Sequence, residues 1–221
     1  MSRPVLLVHG ILESGRRFGR MADALRRDGR DVHVVAYTPN DGSIGIDRLA
    51  QQLADYVHTR LPPDQPFDLV GNSMGGLVCR YYIQRLGGAD RARRLVTLAS
   101  PHRGTLLAYF LGYPAIRQMR PGSDFLAALN ADDSWTARVP WTSIWTPLDL
   151  VILPANRSRI PPAANRRVWV LLHPWVVSSR RVVRLVQEIL RAPAPVQIAN
   201  GGLGAHDGGR TDRDPTTGVR P

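Results

Sequence analysis

Six short, mostly uninterrupted apolar runs, at 5–8, 32–36, 67–70, 95–99, 141–145 and 168–172, recur along the chain with longer stretches of helical spacing between them. Strands with one wet face alternate apolar and polar residues. Runs that are apolar throughout belong to strands covered on both faces, the condition of a parallel sheet flanked by helices. The intervening stretches supply those helices. Ile46, Leu49, Leu53, Tyr56 and Val57 share one face, and an earlier segment begins near Arg17 and stops at Gly29, a residue suited to a helix C-terminal cap. A closing segment sets Ser178 or Ser179 as a cap ahead of Val182, Val183, Leu185, Val186, Ile189 and Leu190, and ends before Pro193. This alternation predicts an α/β fold, a doubly wound, mostly parallel sheet of about six strands flanked by helices, which binds ligands beyond the C-terminal ends of its strands. There is no internal repeat.

A chain of 221 residues with 43% apolar content has room for one domain with a sizeable core and is too short for two domains. The division expected is a domain over 1–192, with a possible lid or cap inserted at 105–139, and a flexible tail over 193–221. From 201 to 221 the tail is rich in glycine and almost without large apolar residues, so burial cannot offset the entropy of ordering it. Arg210, Arg213 and Arg220 balance Asp207, Asp212 and Asp214 there, which leaves the formal charge of +11 on residues 1–200.

All the Lys/Arg cations are arginines. That usage reads first as genome composition; the functional alternative is peripheral contact with anionic lipid. The arginine clusters are scattered and lack interleaved aromatics, which argues against nucleic-acid binding. The single cysteine, Cys79, excludes an internal disulfide, and no Cys/His spacing resembles a zinc site, so neither metal nor cofactor is expected. The apolar run at 4–8 is too short to span a membrane and lacks a signal-cleavage pattern, so the expected compartment is cytoplasmic.

The chemistry centres on DLVGNSMGGLV at 68–78, where G-x-S-x-G falls between a predicted strand and a predicted helix. A sharp turn at that junction lifts Ser73 above the sheet, and Gly71 and Gly75 remove side chains where strand and helix approach each other. The helix N-terminus then offers backbone N–H groups to a developing oxyanion. On these residues the chain resembles the α/β-hydrolase superfamily, and within it the small bacterial lipases and esterases, from Val5 to about Leu190.

The resemblance extends to Leu6-Leu7-Val8-His9-Gly10-Ile11, similar to the family's oxyanion loop, and implies that the N–H groups of Ile11 and Met74 form the oxyanion hole, with His9 shaping the loop. The segment Leu95 to Thr105 resembles the strand and loop after the nucleophile helix, which makes His102 a loop residue rather than the base. In the order nucleophile, acid, histidine, Asp149 follows the strand at 141–145 and His173 follows the run at 168–172. Asp124, Asp132 and Asp133 precede the acid strand and read as cap or loop carboxylates; His206 falls in the tail. Relatives often carry glycine immediately before this histidine, where this chain has Leu172.

The stretch at 106–113, with Leu107 and Phe110, occupies the place of a lid over an ester pocket; an ordinary core helix is the other reading. The expected function is acyl ester hydrolysis through a Ser73, Asp149, His173 triad and an acyl-enzyme, with a small-molecule or lipid ester as substrate. An acyltransferase or thioesterase would use the same triad, and a non-catalytic binding protein could keep the fold without it.

Overall fold

The structure is a computed structural model, and it describes residues 3–193. The sequence beyond 193, with His206 and nearly all of the expected tail, lies outside the described residues.

Six parallel strands form one sheet: β1 (Val5–Val8), β2 (Val32–Val35), β3 (Phe67–Asn72), β4 (Ala92–Leu98), β5 (Trp141–Trp145) and β6 (Ala164–Arg167). Their spatial order is β2-β1-β3-β4-β5-β6. Alternate side chains of the fully buried β1 serve two cores. Leu6 and Val8 face α2 (Ile46–Arg60) and α3 (Met74–Arg85), where they join Leu49, Leu53, Leu77 and Val78. Val5 and Leu7 face α1 (Gly19–Arg27) and α6 (Arg180–Arg191), where they join Phe18, Leu25, Val182 and Val186. Burial on both faces is why β1 reads as an unbroken apolar run and β3 as one broken only by Asp68 before Gly71.

The helices start and stop where their sequence dictates. A 3₁₀ turn at Gly15–Phe18 leads into α1, and Gly29 just beyond it sits at φ +76, the left-handed conformation glycine tolerates. Ser179 occupies the N-cap of α6, but its side chain makes no capping bond. The helix is secured at its other end: Arg94 donates to the carbonyls of Ile189 (2.7 Å) and Ala192 (2.6 Å), so a guanidinium sits against the negative end of the helix dipole.

One strand is displaced from its expected position. Pairing with β5 occupies 164–167, four residues before the apolar run, because β5 ends at Trp145 opposite Arg167 and leaves 168–172 little to pair with. The run continues the edge as an extended segment, held by Val168 N–H to the Trp145 carbonyl at 2.9 Å. Its alternation of buried Val168 and Val170 with exposed Trp169 and Leu171 is that of an edge with one wet face.

The connection from β4 to β5 carries a 3₁₀ turn at Leu106–Tyr109, α4 (Pro114–Gln118), α5 (Asp124–Asn130) and a second 3₁₀ turn at Ser134–Ala137. Residues 106–113 are not a core helix: Ala108 is buried, while Phe110 is 81% exposed and Leu107 37%. Among the described residues, no helix is long and apolar enough to cross a membrane, and no group of three or more His, Cys, Asp or Glu side chains is placed to hold a metal.

Candidate active site

The chain runs from β1 outward to β2 and returns to β3 on the other side, so the order reverses between β1 and β3. Crevices open at such points beyond the strand ends, and here Gly10-Ile11 and Ser73 flank one. Ser73 stands between β3 and α3 at φ 53, ψ −125, a conformation that costs a residue with a Cβ on the order of 1–3 kcal/mol. Its surroundings hold it there. The Ser73 N–H donates to the Leu98 carbonyl at 2.8 Å, and its carbonyl accepts from Gly76 N–H at 3.1 Å.

Two glycines make the turn sterically possible. A Cβ on Gly71 would lie 2.6 Å from the Gly76 Cα, and one on Gly75 would lie 2.5 Å from the His9 carbonyl oxygen. The first turn of α3 thus rests directly on the end of β1, which brings Gly10 against Ser73: a Cβ on Gly10 would meet the Ser73 Cβ at 3.0 Å.

A relay of hydrogen bonds runs from Ser73. His173 Nε2 lies 3.0 Å from Ser73 Oγ, and His173 Nδ1 lies 2.8 Å from Asp149 Oδ2. The other Asp149 oxygen accepts the N–H groups of Val151 (2.8 Å) and Ile152 (2.9 Å), so the carboxylate is fixed by its own loop. Because a carboxylate only accepts, the Nδ1 proton points to Asp149 and Nε2 is left to accept from the Ser73 hydroxyl. All three side chains are buried. Leu172 precedes His173 in extended conformation at φ −124, so no glycine is required there, and His173 opens a short 3₁₀ turn with Pro174 at its second position.

Neither the Ile11 N–H nor the Met74 N–H donates to any group among the described residues. Met74 begins α3, where the first N–H groups of a helix have no intrahelical acceptor.

The other polar residues have their own partners. His9 stacks on Tyr37 with ring centroids 4.3 Å apart, while the Tyr37 hydroxyl donates to the His9 carbonyl. His102 is completely buried away from Ser73, its Nε2 2.9 Å from Thr97 Oγ1 and its ring edge-on to Trp141. Burial, and then the Arg80 cation, hold the His102 imidazole well below its ordinary 6.5, so it stays neutral. Arg80 lies over the Trp141 ring and donates to Asn130 Oδ1 and the Leu129 carbonyl; burial pushes its guanidinium down to about 9, which leaves it charged at neutral pH. Ser123 caps α5, which Asp124 begins, and Asp132 accepts from Ser134 in a local turn.

One site residue carries no motif. Glu13 Oε2 accepts from both the Gly10 N–H and Asn72 Nδ2, each at 2.9 Å. It ties the loop after β1 to the residue preceding Ser73. Sequence reasoning passes it over because one partner is a backbone N–H and the other lies 59 positions away.

Every exposed large apolar side chain among the described residues lies on a segment that follows the C-terminal end of a strand. Leu12 follows β1, Leu107 and Phe110 follow β4, Leu150 and Val151 follow β5, and Trp169, Leu171 and Trp175 follow β6. Thr105 stitches two of these segments together, donating to the Val151 carbonyl at 2.7 Å and accepting from Leu153 N–H at 2.9 Å.

Sheet order, strained turn and helix placement define an α/β-hydrolase fold, shared with solved structures at low sequence identity. The chain aligns with the mature form of the Bacillus licheniformis lipase BlEst2 at 15% identity and a TM-score of 0.66, covering 86% of this chain and 92% of that one. Against Aspergillus fumigatus lipase B the values are 17% and 0.72, over 88% and 54%. A pyrethroid hydrolase from Sphingobium faniae gives 17% and 0.60, over 88% and 99%. In sequence, residues 4–146 match the palmitoyl protein thioesterase family, and the chain belongs to that family. The matched segment contains Ser73 and ends just before the loop that carries Asp149.

Proposed function

We propose that the protein is a serine hydrolase that cleaves acyl esters through a covalent acyl-enzyme. Ser73 Oγ attacks the carbonyl carbon while His173 Nε2 takes its proton, and Asp149 orients the imidazole and stabilises its cation. The tetrahedral oxyanion is held by the N–H groups of Ile11 and Met74. The intermediate collapses as His173 returns the proton to the leaving alkoxide; a water, deprotonated by the same nitrogen, then releases the acid and regenerates Ser73. The observation that carries the reading is the relay from Ser73 through His173 to Asp149, at 3.0 and 2.8 Å, beside two N–H groups without acceptors among the described residues.

The exposed apolar segments around the strand ends favour an acyl chain as the group bound, with Leu107 and Phe110 covering it from the 105–139 insertion. Family membership favours a second form of the same reaction in which the leaving group is a thiolate, a better leaving group that needs less proton donation from His173. A fluorophosphonate probe should label the intact chain and not Ser73→Ala, and matched oxygen esters and thioesters of graded acyl length should separate the two forms. Equal labelling of Ser73→Ala would refute Ser73 as nucleophile.

A further inference from the structure

An open groove of about 660 Å³ runs along the free edge of the sheet, between β6 and α6. Arg166 and Arg167 line it from the strand, and Arg180, Arg181 and Arg184 from the first turns of the helix. All five are exposed. Some exposed arginines elsewhere pair with carboxylates: Arg26 meets Asp23, Arg138 meets Asp90 and Arg191 meets Asp28. None of these five has an ion pair among the described residues, and the one carboxylate in the groove, Glu188, makes none either. Five like charges in one groove repel each other, Glu188 offsets only one of them, and an anionic partner would relieve the rest.

The neighbours of the groove say which partner. Past Arg167 the edge continues with Trp169 and Leu171 outward, 56% and 60% exposed, and Trp175 is 52% exposed two residues after His173. The Arg167 guanidinium lies 5.4 Å from the Trp169 ring centroid. A soluble anion calls for the cations alone. A bilayer surface calls for both, phosphates for the guanidinium groups and an interfacial depth for tryptophan and leucine. These apolar residues also flank His173, which reaches Ser73, so the same contact would turn the crevice toward the lipid.

We infer that the groove between β6 and α6, with Trp169 and Leu171, docks the protein on an anionic lipid surface. The orientation rests on the proposed hydrolase reading; the docking does not, and the test separates the two. Cosedimentation of the full chain should show strong binding to vesicles of phosphatidylcholine mixed with phosphatidylglycerol, weak binding to phosphatidylcholine alone, and loss with added salt. At roughly fivefold per arginine, the R180Q/R181Q/R184Q variant should bind the mixed vesicles about 100-fold more weakly. R16Q/R48Q/R60Q, which removes the same charge elsewhere, should bind far more tightly than that. Ser73→Ala should bind as the parent does, and R180Q/R181Q/R184Q should keep the parent's turnover of a water-soluble acetate ester and its melting temperature. Equal binding to the two vesicle types, or equal loss in the two triple variants, would overturn the inference. Saturable binding of inorganic phosphate by the groove without vesicle binding would assign a soluble anion instead.

Discussion

Removing the Glu13 carboxylate tests whether the loop after β1 must be held in place. Glu13→Ala strands two donors, the Gly10 N–H and Asn72 Nδ2, both accepted by one carboxylate oxygen. A buried donor left without an acceptor costs about 1–3 kcal/mol, so the expected loss of stability is about 2–4 kcal/mol once partial hydration of this half-buried loop is allowed for. Ile11 follows Gly10, and a displaced loop would take its N–H out of the proposed oxyanion hole. Loss of one such donor lowers kcat by roughly 100- to 1,000-fold with little change in KM. Glu13→Gln separates geometry from charge: because a single oxygen accepts both bonds, the amide oxygen can do the same, and kcat should recover to within about tenfold. Urea unfolding and steady-state kinetics on a soluble short ester give both readouts. Unchanged kcat in Glu13→Ala refutes the positioning role. Damage in Glu13→Gln equal to that in Glu13→Ala would transfer the role to the charge and its 3.9 Å contact with Arg17.

Gly75→Ala should lose about 1–3 kcal/mol or fail to fold, because its Cβ would meet the His9 carbonyl oxygen at 2.5 Å and backbone on both sides would have to yield; a urea titration measures this. His102 is neutral in the fold and titrates near 6.5 when unfolded, so its contribution to stability is complete above that pH and falls as pH drops, by up to about 1.4 kcal/mol per unit. His102→Gln should remove that part of the slope in melting curves taken between about pH 4 and 7. Replacing exposed Leu107 and Phe110 by serine should leave stability nearly unchanged and lower turnover of long acyl esters more than of acetates; an equal effect across chain lengths would remove them from the acyl site. Ser73→Ala and His173→Ala should each cost several orders of magnitude in kcat, and the double variant no more than either alone, because the residues act as a unit. An additive loss would contradict the relay.

Sheet and helices were legible where burial on both faces makes a run uniformly apolar. The centre of the sheet meets that condition, and β1 falls on the predicted residues. The edge does not. All four residues of β6 are exposed, while the apolar run beside it is a half-buried extension, so hydrophobicity points four residues too far along the chain. The helices α4 and α5, of five and seven residues, are too short to show a period. Chain order and strand ends point to Ser73, Asp149 and His173, since each follows a strand or a strand-like run toward the same end of the sheet. Glu13 gives no such signal, because its position is defined by a backbone N–H and a side chain from another strand. The groove arginines are visible as residues but not as a group, since 166–167 and 180–184 meet only when α6 packs back beside the edge.

The same geometry explains which parts of the molecule can vary. Ser73 is held in a conformation that costs on the order of 1–3 kcal/mol, and what holds it is the packing of α3, whose Met74, Leu77 and Val78 are wholly buried at about 1.5–3 kcal/mol each. That helix cannot relax away from the strain without exposing this surface, and Gly71 and Gly75 leave no Cβ to force it outward. The serine, the helix N-terminus and the loop fixed by Glu13 are therefore set by the core, before any substrate arrives. The exposed apolar residues belong to segments outside it, after β1, β4, β5 and β6. Substitution there can reshape what binds without disturbing the turn at Ser73, so acyl-chain preference should respond to these segments while the reaction itself responds to the frame.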